Sequence, residues 1–372
     1  MAKLGIIALK GAEQMGESVN TTLMQWKKSK GKRVPEGGYI IHTNCPRFGS
    51  GEAKGLISES IRGKDLYFLI DVCNHSITYK MFGEQVKMSP DDHYQDLKRL
   101  IAACNGKASR ITVIMPFLYE SRQHRRTTRE SMDCALMLRE LENMGVHDVI
   151  TFDAHDPRVQ NAVPLSSLEN VSPALQVVET LLQNVDDLQL TPEHMMVISP
   201  DEGATDRAIY LANVLGVNMG MFYKRRDYTT IVDGRNPIIA HEFLGESVEG
   251  KDVIVIDDMI SSGDSMIDVA RQLKDRKANR IFVVSTFGLF TNGLDKFDEA
   301  VEKGLIYKVL TTNCIYQKPE LLERDWYLSV NMDTYIAALI DRLNKDASIN
   351  EIINPAARIK AEVEEYNKAR EQ

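Results

Sequence analysis

The stretch that decides the fold is residues 253–265. It reads Val253-Ile254-Val255-Ile256-Asp257-Asp258-Met259-Ile260-Ser261-Ser262-Gly263-Asp264-Ser265. The β-branched apolar run predicts a buried strand that carries two adjacent carboxylates at its carboxyl end, before a short Ser/Gly loop and a helix. Such a loop can aim backbone N–H groups at a phosphate, where the helix N-terminus adds partial positive charge. The alternative is an ordinary strand end with an Asp or Ser helix cap.

The same alternation of short apolar runs and helical patterns continues through the chain. Strands are predicted at residues 65–71, 110–115, 149–152, 195–198, 218–223, 252–256, 281–285 and 307–310. Helices are predicted at residues 95–104, 131–144, 205–215, 265–276 and 294–303. This order is typical of α/β proteins with mainly parallel sheets flanked by helices.

A weak internal repeat indicates two α/β halves of common design. Residues 63–66 (Gly-Lys-Asp-Leu) match residues 250–253 (Gly-Lys-Asp-Val), and residues 107–113 are similar to residues 277–283. Both matches are strand starts, and they occur in the same order, although chance similarity is the alternative. Only the second half ends its strand with two acids. Since ligands bind outside the carboxyl ends of strands in open α/β sheets, we expect the chemistry to centre on the second half.

Composition and charge exclude several classes of protein. The chain has 372 residues and a formal net charge of −8, which argues against nucleic-acid binding. Its five cysteines include no pair at metal-site spacing, so reduced thiols in a cytoplasmic protein are the simplest interpretation. No apolar run approaches the length of a membrane span, and no membrane partner is expected.

The segment quoted first resembles the phosphoribosyl pyrophosphate signature of type I phosphoribosyltransferases and ribose-phosphate pyrophosphokinases. That signature is two acids, two apolar residues and Asp-Thr-Gly/Ala-Gly-Thr, so this chain has Ser261 for the third Asp and Asp264 for a glycine. A carboxylate in a phosphate cradle opposes the bound anion unless it points outward or caps the helix. The resemblance implies that ribose 5-phosphate is bound by Asp257, Asp258, Ser261, Ser262, Gly263 and Ser265.

Residues 116–126 favour the pyrophosphokinase branch. They read Pro-Phe-Leu-Tyr-Glu-Ser-Arg-Gln-His-Arg-Arg and are similar to that family's ATP loop, Pro-Tyr-x-x-Tyr-Ala-Arg-Gln-Asp-Arg-Lys. Arg122, Gln123 and Arg125 match, while His124 replaces an Asp. Guanidinium groups can bridge phosphate oxygens in bidentate fashion, so these residues are expected to bind ATP. The alternative is a solvated charge run.

Two further segments resemble the metal-binding positions of the same family. Residues 153–160 are similar to Asp-Leu-His-Ala-x-Gln-Ile-Gln, and residues 199–207 to Ser-Pro-Asp-x-Gly-Gly-Ala-Lys-Arg. The resemblance implies that His155 and Asp201 bind Mg²⁺, whereas Asp206 replaces the family's Lys. The alternatives are a structural histidine and a helix cap.

A catalytic flap and an adenine contact are implied in the same way. Lys224 and Arg226 match the family's Lys-x-Arg after the predicted strand 218–223, and residues 227–237 are expected to form a mobile loop. The alternative is a solvated basic turn. Residues 47–52 resemble Arg-Phe-Ser-Asp-Gly-Glu, which contacts adenine from a neighbouring subunit, so Phe48 and Glu52 are expected to bind ATP. Ser50 replaces the Asp that reads adenine.

Together these motifs imply a divergent ribose-phosphate pyrophosphokinase with two tandem type I phosphoribosyltransferase-like domains. The expected domains are residues 1–171, residues 172–333, and a C-terminal helix and tail at 334–372. The expected substrates are ATP and ribose 5-phosphate, with Mg²⁺ as cofactor, and the chain is expected to be a homo-oligomer, a hexamer or a dimer-based assembly. Two other functions stay open: a catalytically weak regulatory paralogue of the synthetase, and a type I phosphoribosyltransferase.

Overall fold

The structure is a computed structural model that describes residues 3–226 and 238–370. At residues 224–226 and 238–241 it describes the backbone alone. Residues 3–172 form β1 (Lys3–Ala8), α1 (Glu13–Ser29), β2 (Thr43–Asn44), β3 (Leu56–Ile57), β4 (Lys64–Leu69), β5 (Thr78–Met81), β6 (Glu84–Lys87), α2 (Pro90–Cys104), β7 (Arg110–Ile114), α3 (Asp133–Asn143), β8 (Asp148–Phe152) and β9 (Ser167–Val171). The later elements are α4 (Ala174–Asn184), β10 (Met195–Ser199), α5 (Thr205–Leu215), β11 (Asn218–Arg226), β12 (Ile238–Leu244), β13 (Asp252–Ile260), α6 (Asp264–Asp275), β14 (Ile281–Gly288), α7 (Asp295–Glu302), β15 (Lys308–Thr312), α8 (Pro319–Leu322), β16 (Tyr327–Val330), α9 (Asp333–Leu343), α10 (Asn350–Ile353) and α11 (Ala356–Lys368).

The chain divides into two compact units that are each discontinuous in sequence. The first unit comprises Met1–Ser172, Asn313–Tyr316 and Asn331–Ile353. The second unit comprises Pro173–Thr312, Gln317–Val330 and Asn354–Gln372. The domain bounds predicted at residues 171/172 and 333/334 stay a prediction.

The first unit is built on a parallel sheet with strand order β1-β4-β7-β8-β9. Its strand β4 is buried on both faces, as helices on either side of a parallel sheet require: Leu66 through Leu69 are fully buried. Helix α2 begins with a capping box between Ser89 and Asp92, with Pro90 in the first turn, and ends at Asn105 in the left-handed conformation. These local signals explain why the strand-connecting helix begins and ends where it does.

The second unit contains a sheet with strand order β12-β11-β10-β13-β14-β15-β16. Its pairs are parallel except for β11 and β12, which are antiparallel. Ala270 and Leu273 on α6 and Phe297 on α7 are buried in its core against the apolar residues of β13 and β14. The predicted α/β fold with mainly parallel sheets is therefore confirmed.

The internal repeat corresponds to a repeated local structure. In the first unit, Arg110 at the start of β7 donates to both carboxylate oxygens of Asp65 on β4, at 2.7 and 2.8 Å. In the second unit, Arg280 before β14 makes the same bidentate contact with Asp252 on β13, at 2.6 and 3.2 Å. Similar motifs therefore make the same ion pair at the same place in each sheet.

Three predicted strands end three or four residues too early, including β14, which continues past Ser285 to Gly288. Strand β13 does not stop at Ile256 but continues to Ile260, because β14 runs beside it and pairs as far as Gly288. Strand β11 does not stop at Tyr223 but continues to Arg226, because β12 pairs with it from Leu244 back to Ile238. The extensions of β13 and β11 depend on a partner strand that is distant in sequence. Among the described residues, no helix has both the length and the apolar character needed to cross a membrane.

Candidate active site

Asp257 and Asp258 lie toward the carboxyl end of β13, a central strand of the second sheet, and Asp258 is buried. The neighbouring strand β10 pairs with β13 only as far as Val255, so β13 carries the two acids beyond it. The two carboxyl groups hydrogen-bond to each other, and Asp257 also accepts the N–H of Asp258 at 2.8 Å. Burial, followed by the charge of Asp258 and that of Asp201, raises the pKa of Asp257 well above its usual range. Hydroxyl donors or a cation would relieve this repulsion.

The loop after these acids opens onto the start of α6. Gly263 is the N-cap of α6 with φ +87°, and no side chain caps the helix. A Cβ at this position would overlap the ring of Phe297, so a glycine is required both by φ and by space. The N-cap residue is therefore not an Asp or Ser, although Oγ of Ser262 accepts the N–H of Asp264 at 3.4 Å. The first-turn N–H groups of α6 have no intrahelical acceptors, which suits an anion.

Asp264, the first residue of α6, contacts both Lys296 on the next helix and Ser262 in this loop. Its carboxylate forms an ion pair with Lys296 on α7, and both side chains are about half exposed. Hydrogen bonds from Lys296 and Ser262 lower the pKa of Asp264 below its usual range. The charge of Asp264, which opposes a bound phosphate, is offset by Lys296, which no motif had indicated because it lies on the next helix.

Asp201 follows β10 at the same edge of the sheet as Asp257. Its carboxylate accepts the N–H of Gly203 at 2.9 Å and caps the short 3₁₀ helix Glu202–Ala204. The helix-cap interpretation of this segment is therefore correct, and it is compatible with a second role because a carboxylate has more than one acceptor site. Asp206 lies in the first turn of α5.

The predicted ATP loop follows β7 in the first unit. Its apolar residues Phe117 and Leu118 are buried, whereas the side chains of Arg122 and Arg125 are exposed. Gln123 donates from Nε2 to the carbonyl oxygen of Ser131 at 2.9 Å, which anchors the middle of the loop. Two guanidinium groups thus lie on one exposed segment, and the apolar residues that precede them in the loop are buried.

His155 lies beside this loop, after the neighbouring strand β8. Its ring centroid is 5.5 Å from that of His124, and its side chain is exposed. Glu120 and Asp153, one in each loop, have positive φ values of 56° and 45°. Left-handed backbone at two non-glycine residues is strain of the kind that clusters at functional sites.

The predicted adenine contact is a tight turn in the first unit. Phe48 donates its N–H to the carbonyl oxygen of Glu52 at 2.7 Å, and the Phe48 ring is 55% exposed. Ser50 donates from Oγ to the Glu52 carboxylate at 2.8 Å. An exposed aromatic ring on a rigid turn is suited to stacking. The neighbouring Arg47 is fixed by both carboxylate oxygens of Asp96, at 2.8 and 2.9 Å.

Lys224 and Arg226 lie near the end of β11 rather than after it, paired with His241 and Ile238 of β12. The predicted mobile loop, residues 227–237, lies outside the described residues. The catalytic roles of Lys224 and Arg226 stay predictions.

The acids of the second unit fit a magnesium ion bound together with a substrate. In the described ranges no three His, Cys, Asp or Glu side chains converge as a metal-binding group. Mg²⁺ is nevertheless usually held by one or two carboxylates plus substrate phosphates rather than by an all-protein cage. Asp201, whose charge contributes to the raised pKa of Asp257, and Asp257 itself supply oxygen donors of that kind.

Comparison with known proteins assigns the two halves of the chain. Residues 4–145 match the N-terminal domain of ribose phosphate pyrophosphokinase, and residues 164–315 match the phosphoribosyl transferase domain. A ribose-phosphate pyrophosphokinase of Mycoplasma genitalium is 31% identical over 278 residues, which cover 73% of this chain and 75% of the relative. The chain belongs to the ribose-phosphate pyrophosphokinase family.

Other relatives agree with this family. A ribose-phosphate pyrophosphokinase of Vibrio cholerae is 26% identical over 331 residues, covering 87% of this chain and 95% of the relative. The crystal structure of phosphoribosylpyrophosphate synthetase from Mycobacterium smegmatis superimposes with a TM-score of 0.72 at 18% identity, over 93% of this chain and all of that one. The last similarity shows the fold alone, and it confirms the predicted pair of phosphoribosyltransferase-like domains.

Within this pyrophosphokinase-family chain, the motif residues fall into two groups. The first unit brings the ATP loop next to His155, and the second unit brings Asp201 next to the paired acids and the start of α6. Their individual binding roles stay predictions. Sequence reasoning missed Lys296 and Phe297, whose contacts with the loop could not be found from local spacing.

Proposed function

We propose that the chain transfers the pyrophosphoryl group of MgATP to the 1-hydroxyl of ribose 5-phosphate, forming phosphoribosyl pyrophosphate and AMP. The observation that supports this most is the edge of the second sheet, where paired acids precede an uncapped helix start. The carboxylates of Asp257 and Asp258 accept from the ribose hydroxyls, and the N–H groups of residues 261–265 hold the 5-phosphate. The hydroxyls of Ser261, Ser262 and Ser265 add donors.

In this proposal Arg122 and Arg125 bind the triphosphate, with Gln123 beside them. Phe48 and Glu52 contact adenine, by stacking and by accepting a hydrogen bond. The 1-oxygen of ribose attacks the β-phosphorus in line, and the bond from that phosphorus to the oxygen of the leaving AMP breaks. Positioning and charge stabilisation supply most of the catalysis in such transfers.

His155 and Asp201 are the proposed protein ligands of Mg²⁺. When bound, the ion would neutralise phosphate charge and orient the transferring group. Lys224 and Arg226 would offset the negative charge that develops on the transferring group and on the leaving oxygen. The homo-oligomer and the cytoplasmic location stay predictions.

One argument for the alternative function, a catalytically weak regulatory paralogue, is weakened. This alternative was motivated in part by Asp264 in the phosphate loop, and that carboxylate forms an ion pair with Lys296. Ser50, Ser261 and Asp206 remain as departures from the family patterns. The ATP-loop motif opposes a type I phosphoribosyltransferase, which does not use ATP.

The experiment that tests the proposal is a coupled assay of AMP release with ATP, Mg²⁺ and ribose 5-phosphate. We expect AMP formation that requires ribose 5-phosphate and is lost in Lys224→Ala. Lys303→Ala is the matched control, because Lys303 directly follows α7, is exposed, and pairs only with Glu299 in the described part of the chain. No ribose-dependent AMP above the Lys224→Ala background would contradict the proposal. Activity that appears only with a second synthetase would instead support the regulatory paralogue.

A further inference from the structure

His124, Asp156 and Arg158 form a charged cluster beside the ATP loop of the first unit. The Nε2 atom of His124 lies 3.3 Å from Oδ2 of Asp156. Arg158 binds the same carboxylate from the other side, with Nε 2.9 Å from Oδ1 and Nη2 2.5 Å from Oδ2. The backbone N–H of Arg158 also donates to Oδ1 at 2.9 Å. Asp156 is only 8% exposed, so these contacts replace water as the partners of its carboxylate.

The imidazole of His124 depends on this carboxylate for its orientation. Nδ1 of His124 is buried and has no hydrogen-bond partner among the described residues. A buried polar atom without a partner costs free energy, so another contact must hold the ring where it is. Nε2 faces the Asp156 carboxylate, an arrangement in which an imidazole N–H can donate to it. The ring also lies next to His155, 5.5 Å between centroids.

The contact joins two loops that carry predicted ATP-site residues. His124 lies between Gln123 and Arg125 in the loop after β7, while Asp156 directly follows His155 in the loop after β8. Bidentate binding of phosphate by guanidinium groups demands accurate placement, and small displacements of positioned groups are costly.

We propose that Asp156, braced by Arg158, positions the imidazole of His124 and thereby holds Arg122 and Arg125 beside His155 for binding the triphosphate. His124 and Asp156 act as positioning residues, and the inference rests on the proposed function. The family patterns quoted above have Asp at position 124, Ala at 156 and Gln at 158, so this cluster is a property of this chain.

The substitution Asp156→Asn separates positioning from simple electrostatics. Removing a negative charge near an anionic ligand would by itself strengthen ATP binding. Loss of positioning weakens it instead, and we expect KM for ATP to rise about fivefold, within the range of couplings between contacting residues. KM for ribose 5-phosphate and kcat should stay within about twofold, whereas a fraction of misfolded enzyme would lower kcat without changing KM. Glu130→Gln is the matched control, since it removes one exposed carboxylate held by Thr127 and Thr128.

The second measurement is a double-substitution cycle read by calorimetric binding of a non-hydrolysable ATP analogue with Mg²⁺. His124→Ala and Asp156→Asn should each weaken binding, and the double variant should be no weaker than the worse single one. Unchanged or tighter binding in Asp156→Asn, or effects that simply add, would overturn the inference. A wild-type chain without ribose-dependent AMP formation would count against the proposed function, whereas the binding cycle tests the positioning independently of turnover.

Discussion

The carboxylate of Asp264, at the first position of α6, forms an ion pair with the ammonium group of Lys296 at the start of α7. An acid in the loop that we propose to bind a phosphate would repel that phosphate if it faced the loop. The pair with Lys296 offsets the charge of this acid. Lys296 should therefore favour phosphate binding by offsetting the charge of Asp264, although it need not touch the ligand.

Removing Lys296 should weaken ribose 5-phosphate binding. In Lys296→Ala the Asp264 carboxylate keeps its charge without a partner next to the helix start, and we expect KM for ribose 5-phosphate to rise about threefold. The second substitution Asp264→Asn should restore it. Thermal stability should change little, because exposed ion pairs contribute about 0–1 kcal/mol. Lys303→Ala, directly after the same helix, is the control, and an equal effect from it would contradict this reading.

The glycine at the loop apex should tolerate no side chain. In Gly263→Ala the added Cβ would overlap Phe297, and the residue would also have to keep φ +87°. We expect a loss of stability of about 1–3 kcal/mol together with at least a tenfold rise in KM for ribose 5-phosphate. Gly293→Ala is the matched control, since it shares a positive φ of 82° but has open space around the Cβ. It should cost about 1 kcal/mol and leave KM unchanged.

A feature could be predicted from the sequence where neighbouring residues set it, and could not where a residue distant in sequence sets it. The strand, the paired acids and the glycine loop were predictable because each depends on neighbouring residues. The end of β11 at Arg226 was not, because it is set by pairing with β12. Likewise, the ion pair of Asp264 depends on Lys296, and the requirement for Gly263 on Phe297, both on the next helix. Sequence patterns show which residue types are present, but not which distant side chain reaches them.

The buried ion pairs that mark the repeat should contribute similarly to the two units. Asp65 is 2% exposed and Asp252 6%, so loss of Arg110 or Arg280 leaves a buried carboxylate without its guanidinium. Arg110→Met and Arg280→Met should each destabilise their own unit by about 3–5 kcal/mol. Hydrogen exchange of β4 and β13 would measure the two effects separately. An effect below about 1 kcal/mol in either unit would contradict an equivalent role.

The double variants Asp65→Asn/Arg110→Met and Asp252→Asn/Arg280→Met are the controls for this prediction. Each removes the buried charge as well as its partner, so most of the stability should return. Failure to recover would show that Arg110 and Arg280 act through packing rather than through the ion pair.

Asp71 should make the stability of the first unit depend on pH. Its carboxyl accepts the N–H groups of Cys73 and Tyr316 at 2.8 and 2.6 Å, but burial outweighs these bonds and raises its pKa to about 7. Below the unfolded pKa of 3.8 both states are protonated. Between that value and about 7 only the folded state keeps its proton, so stability falls as pH rises, by about 1.4 kcal/mol per pH unit at most.

The substitution Asp71→Asn keeps an acceptor but removes this titration. Its unfolding free energy relative to wild type should therefore increase as pH rises from about 4 to 7 and level off above, as urea unfolding of both chains would show. Asp298→Asn is the control. Burial favours a higher pKa for Asp298, but hydrogen bonds from Arg324 and Trp326 outweigh it and lower the pKa. Above about pH 5 Asp298 is then ionised in both states, so from there upward its variant should differ from wild type by a constant offset. Parallel curves for Asp71→Asn as well would mean that Asp71 is ionised in the folded chain.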